Sequence, residues 1–222
     1  MPLARFDKLD KAQKGRLLDA AQAEFAQHGY EEASLARVAA QADISKGTLY
    51  YYFADRDDLY ATVVLRMVQA VASDAVLGSF APRRAADFWP AMETLFRAGF
   101  ELARQHPEEV RVLRSFQVSL RRHPRPAFAP VLALMASNVR SLVETGRRLG
   151  CVRSDIPVEL LIELLLSADE VLDAALHQSG ALGDRRALEG HMQLGLDTFR
   201  RLMEPSRAPA ARRGKSASGG GR

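Results

Sequence analysis

Between Ser34 and Phe53 the chain reads SLARVAAQADISKGTLYYYF, two short runs of helical spacing, each directly behind a serine. Leu35, Val38, Ala39 and Ala42 share one face of a helix predicted to reach about Gln41, with Ser34 as its N-cap. The segment Ala42-Asp43-Ile44 turns the chain, and Ser45 caps a second helix over about Lys46 to Tyr52. A helix turns about 100° per residue, so Tyr50, Tyr51 and Tyr52 cannot all face a core. Leu49 and Phe53, four apart, take the inward face, which leaves Thr48, Tyr50 and Tyr51 outward and Tyr52 at the flank. Two short helices joined by a tight turn have the patterning of a helix-turn-helix, whose second helix enters a DNA major groove.

The outward residue types suit that task. A phenol presents a flat apolar face to a thymine methyl or deoxyribose and a hydroxyl to a phosphate. Lys46 and Gly47 fall in the first turn, where free amides and the helix dipole favour an anion. The charge balance adds little: residues 1–53 carry seven Lys or Arg and seven Asp or Glu. The net charge of +4 resides in the tail, where Pro205 to Arg222 holds five basic residues and no acid. Without those five, the chain's 31 Lys and Arg fall to 26, against 27 Asp and Glu. Four of the five lysines, Lys8, Lys11, Lys14 and Lys46, lie in the first fifty residues. They are either an arm and first helix that approach phosphates or ordinary solvated charge.

The rest of the chain repeats the helical period. Helices are predicted over about Lys11 to Gln27, ended by Gly29, and from Asp55 through Leu59, Val63 and Met67 to about Leu77. Further helices follow over about Ala85 to Gln105, Pro107 to Arg122, Ala127 to Leu149, Val158 to Gln178 and Asp184 to Met203. No strand pattern occurs, so the fold class is all-α, while residues 1–10 read as a flexible arm and 205–222 as a disordered basic tail. The most apolar run, Val158 to Ala168, is too short for a membrane span and contains Glu159 and Glu163. With one cysteine, Cys151, and a polar amino terminus, the chain is expected to be cytoplasmic, with no internal disulfide and no membrane partner. The histidines lack metal-ligand spacing, and no nucleophile–base pair or phosphate loop is evident, so neither an enzyme, a metal nor a cofactor is expected.

The segment RLLDAAQAEFAQHGYEEASLARVAAQADISKGTLYYYFADRDDLY resembles the TetR family of bacterial transcriptional regulators, over about Lys11 to Val71. The resemblance rests on the order F-x-x-x-G-Y, S-L-x-x-V-A-x-x-A, I-S-K-G-T-L-Y-Y-Y-F and D-R-D-D-L. It implies a helix-turn-helix DNA-binding domain over 11–71, with the motif at 34–53, and a larger helical effector-binding and dimerisation domain over 80–204. It also implies DNA contacts from Ser34, Ser45, Lys46, Gly47, Thr48, Tyr50, Tyr51 and Tyr52, and a backbone contact from Arg56, which stands where a lysine is usual. Asp43 occupies a turn position usually held by glycine, and Tyr52 one where histidine is frequent.

In such regulators the last two helices pair with those of a second subunit. Leu160, Leu161, Leu164, Leu165, Val171, Leu172 and Leu176 make the penultimate helix apolar over more than one face. Leu161, Leu165, Leu172, Leu176, Leu188, Met192, Leu196 and Phe199 are the expected dimer interface. Candidates to line an effector site are Trp89, Met92, Phe96, Phe100, Phe116 and Met135, with Gln117, Asn138 and Asp169 as orienting polar groups. Core packing is the better explanation for most of these apolar residues. The implied function is a dimeric repressor on a palindromic, double-stranded operator, released by an apolar or aromatic small effector; an activator remains an alternative.

Overall fold

The computed structural model describes residues 2–71, 80–122, 125–180 and 184–205. The described residues form α-helices and short 3-10 turns and contain no strand. Helix α1 spans Lys11–Glu32 and is interrupted at Gly29, whose φ of 70° with ψ of 178° is open only to a residue without a Cβ. Asp10 and Gln13 close a capping box at its start. Then follow α2 (Leu35–Gln41), α3 (Lys46–Tyr52) and α4 (Arg56–Val71). The continuation of α4 to Leu77 lies outside the described residues, as does the tail beyond Pro205.

The second part of the chain consists of α5 (Ala85–Gln105), α6 (Pro107–Arg122), α7 (Ala129–Arg148), α8 (Val158–Gln178) and α9 (Arg185–Met203). The Asp184 carboxylate caps α9 by accepting from the amides of Arg186 and Ala187. The stretch Pro126–Arg148 is long and apolar enough, by length and composition, to cross a membrane. In this fold α7 packs between α4 and α8.

Two apolar cores result. The first joins Leu17, Phe25, Val38, Leu49, Phe53 and Tyr60 and extends to Val112, Phe116, Phe128 and Val131 from α6 to α7. The core of the helix-turn-helix therefore crosses the boundary expected near residues 71–80. The second, around Phe88, Met92, Val143, Leu161, Leu165 and Phe199, lies among α5, α7, α8 and α9. The lone Cys151 is half-buried, its Sγ 3.4 Å from the Ala85 carbonyl, and burial pushes its thiol pKa up.

The first ten residues are not the free arm expected. The Leu3 amide donates to the Tyr52 carbonyl at 2.8 Å, and Phe6–Lys8 form a 3-10 turn. Phe6 is buried with its ring 5.0 Å from that of Phe53. One aromatic side chain in a polar segment carries no period, so the sequence did not announce this docking.

Candidate nucleic-acid interface and effector chamber

Helix α3 is held as its spacing predicts. Leu49 and Phe53 are each 1% exposed, whereas Tyr50 and Tyr51 are 45% and 52% exposed. Asp43 adopts the left-handed conformation (φ 55°), one that aspartate tolerates better than most residues, and so closes the turn without glycine. The Ser45 hydroxyl accepts from the Thr48 amide at 3.0 Å and shares a 2.8 Å hydrogen bond with the Thr48 hydroxyl. Lys46 Nζ lies 5.9 Å from the Tyr50 ring centroid, and the Arg5 guanidinium sits 4.5 Å over Tyr51. The outward surface therefore combines two phenols, two hydroxyls, the exposed Gly47 backbone and two cations, a set able to meet base edges and phosphates together.

Three of the expected DNA contacts have structural work at the rim of this surface. Tyr52 is half-buried, packed edge-on against Phe6 and Tyr51. The Ser34 hydroxyl caps α2, and its amide donates to Glu24 at 2.7 Å. Arg56 Nη1 donates to the carbonyls of Tyr30 and Glu31, at 3.3 and 2.9 Å, fastening α4 to the end of α1. Glu24 itself is buried and accepts from Arg37 Nε at 2.9 and 3.0 Å. Burial pushes its carboxyl pKa up, but the hydrogen bonds from Arg37 and Ser34 outweigh this and hold it below the ordinary value.

A second polar cluster joins the helix-turn-helix to the rest of the protein. Arg125 Nη1 lies 3.0 Å from each oxygen of Asp57, and the Tyr30 hydroxyl donates to the same carboxylate. The Arg125 guanidinium also stacks 4.6 Å over the Tyr30 ring. Burial, reinforced by the Asp57 charge, raises the Tyr30 phenol pKa. Further along α4, the Tyr60 hydroxyl donates to the Val112 carbonyl at 2.9 Å.

Among α4 to α9 lies a chamber of about 420 Å³, within the range of small-molecule sites. Of the candidate effector-site residues, Phe96, Phe100, Phe116, Gln117, Met135, Asn138 and Asp169 line it. Trp89 and Met92 do not. Met92 is sealed in the second core, and Trp89 packs edge-on against Phe88 beneath the Arg200 guanidinium.

The expected dimer residues also need correcting. Leu165, Leu172, Leu176 and Phe199 line the chamber, while Leu161, Met192 and Leu196 are buried within the chain itself and Leu188 is half-buried. The exposed large apolar residues of α8 and α9 are instead Leu160, Leu164, Val171 and Leu194. A helix apolar around most of its circumference does not reveal by period which stripe turns inward.

Sequence reasoning named Asp169 but missed Asp173, His177 and His191, which complete the polar end of the chamber. Asp169, Asp173 and His177 follow at four-residue steps on α8, on one face, and His191 approaches from α9. Their signal was a polar i, i+4, i+8 stripe within an apolar helix. Desolvation at the chamber wall, with the Asp173 and Glu170 charges, raises the Asp169 carboxyl, although the residue itself stays open to solvent. Burial also raises Asp173, opposed by His177, Arg114 and His191.

Residues 17–63 match the family described as bacterial regulatory proteins, tetR family. The HTH-type transcriptional repressor SCO4008 of Streptomyces coelicolor is 41% identical over 54 residues, 24% of this chain and 28% of that repressor. The HTH-type transcriptional repressor AcnR of Corynebacterium diphtheriae is 24% identical over 188 residues, covering 83% of this chain and 90% of AcnR. Among solved structures, a tetR family transcription regulator from Shewanella sp. PV-4 superposes with a TM-score of 0.67 at 19% identity, over 86% of this chain and 98% of that one. FadR of Bacillus subtilis, solved in complex with stearoyl-CoA, gives a TM-score of 0.66 at 15% identity, over 83% and 96%. These structural likenesses are of fold; the motif match and the repressor relatives carry the kinship. Residues 17–63 thus carry the DNA-binding segment of the tetR family of bacterial regulatory proteins, and along most of its length the chain is similar to an HTH-type transcriptional repressor.

Proposed function

We propose that this regulator is a ligand-responsive repressor that holds a palindromic operator as a homodimer and lets go when a small effector fills the chamber. In this reading residues 11–71 bind DNA through the motif at 34–53, and residues 80–204 hold the effector and the partner subunit. The observation that carries it is the reach of α4. Its first turn supplies Arg56 and Asp57, which grip α1 and Arg125, and Val68 near its other end lines the chamber. A ligand that displaces Val68 acts on the same rod that seats the reading head. Its effect on DNA affinity is no larger than its difference in affinity between the two arrangements.

The partner face is assigned to the exposed Leu160, Leu164 and Val171 of α8 and Leu194 of α9. Two-fold pairing places two copies of α3 on successive major grooves, about 34–36 Å apart. Thr48, Tyr50, Tyr51, Lys46 and Gly47 read the groove, with Ser45 presenting the helix start. The stearoyl-CoA held by the FadR neighbour supports a small-molecule role for a chamber in this fold. Such a regulator works where the DNA is, in the cytoplasm.

The test is a gel shift on DNA upstream of the chain's own gene. Tyr51→Ala and Thr48→Ala each weaken binding by roughly tenfold or more. Leu164→Glu converts a sedimenting dimer to monomer. Binding by both α3 variants at wild-type strength refutes the reading surface, and an unchanged dimer refutes the partner face.

A further inference from the structure

Taking the chamber as the effector site, we infer that its ligand is a lipophilic amine, whose protonated nitrogen seats against Asp169, Asp173 and His177 and whose apolar body fills the space lined by Phe96, Phe100 and Phe116.

The argument starts from what the polar end can accept. His177 Nδ1 lies 2.8 Å from the Asp173 carbonyl, and a carbonyl cannot donate, so Nδ1 carries the proton. With the ring neutral, Nε2 is then an acceptor. The His177 side chain is only 9% exposed, and its Nε2 is buried with no hydrogen-bond partner. A buried acceptor left open costs free energy unless something donates to it. His191 Nε2 likewise lies 2.8 Å from the Leu172 carbonyl and must be the donor there, which leaves Nδ1 as the acceptor of the neutral ring.

The carboxylates point the same way. Asp169 lines the chamber with no hydrogen bond or ion pair to another described residue. Its charged neighbours on α8 are Glu170 and Asp173, both acidic. Among the described residues Asp173 pairs with His177, at 3.5 Å, within the more distant field of Arg114 and His191. Among the described residues no lysine or arginine lines the chamber. His177 also stands in the last turn of α8, where the helix dipole adds partial negative charge.

This end therefore presents carboxylates and ring acceptors, with Gln117 and Asn138 as the neutral polar groups nearby. An ammonium group answers it with charge and N–H donors together. A carboxylate or phosphate head would meet like charge with no lysine or arginine among the lining residues, so an anionic ligand is the wrong chemistry for this chamber.

The experiment titrates the full-length protein with octylamine, octanol and octanoate, one apolar body with three heads, by calorimetry at neutral pH. Octylamine binds roughly tenfold or more tightly than octanol, and octanoate is weakest. Asp169→Asn, shown folded by circular dichroism, removes the amine's advantage. Octanoate binding as well as octylamine overturns the inference. Three equal affinities overturn it while leaving the chamber as an effector site, and no binding by any of the three removes both. Should Asp169→Asn not fold, the ranking of the three heads on the wild-type protein decides.

Discussion

Replacing Asp57 with asparagine tests how firmly the DNA-reading head is fastened to the helical body. The carboxylate meets Arg125 Nη1 through both oxygens at 3.0 Å and also accepts the Tyr30 hydroxyl. The two charged side chains are 24% and 23% exposed, between the surface and buried limits. A hydrogen bond to a charged group is worth about 1.5–3 kcal/mol, whereas an exposed ion pair contributes about 0–1 kcal/mol. Asparagine keeps an acceptor for Tyr30 but loses the attraction to Arg125, so the expected destabilisation is about 2 kcal/mol. For a chain of this length that lowers Tm by roughly 4–8 °C. Thermal denaturation followed by circular dichroism measures it, on Asp57→Asn, Arg125→Gln and the double variant. The double variant loses less than the sum of the singles, because the second substitution removes a partner already gone. Strict additivity, or a shift under about 1 °C for Asp57→Asn, refutes the claim that this pair joins the two halves.

Two further outcomes are expected. A Cβ added at Gly146 would lie 2.2 Å from Val152 Cγ2 and 2.8 Å from the Phe88 ring, both residues buried, so Gly146→Ala costs about 1–3 kcal/mol, read as a lower Tm. Asp169→Asn stabilises the ligand-free protein at pH 7.5 and not near pH 4. The sign follows from the raised carboxyl: the folded protein favours the protonated form, and the stability this gives is complete below the ordinary value of 3.8 and lost as pH rises through about 6. Equal Tm differences at both pH values contradict it.

Local chemistry made most of the architecture legible. Ser34, Ser45, Asp55 and Asp184 mark helix starts because a cap needs only its own side chain and amides a few residues on. Leu49 and Phe53 fixed the orientation of α3 because a four-residue step on so short a helix leaves one choice of inner face. What was misread depends on the phase of an apolar helix. Along α8, Leu161 and Leu165 turn inward while Leu160 and Leu164 turn out, and the four are equally apolar. Phase there is set by packing against α7 and α9, which no single stretch encodes. His177 and His191 escaped notice for another reason. Tested against metal-ligand spacing alone they have no meaning, and their role emerges once α8 and α9 bring them to one chamber. The Glu24–Arg37 pair, thirteen residues apart on successive helices, was hidden by the same distance between sequence and space.

The docked amino terminus has a practical consequence. Leu3 is hydrogen-bonded to the last residue of α3, and Arg5 covers one of its two exposed phenols, so the residues ahead of α1 belong to the surface proposed to face DNA. A purification tag fused ahead of Leu3 would therefore alter that proposed surface. Affinities measured with and without such a tag would differ if that surface reads DNA.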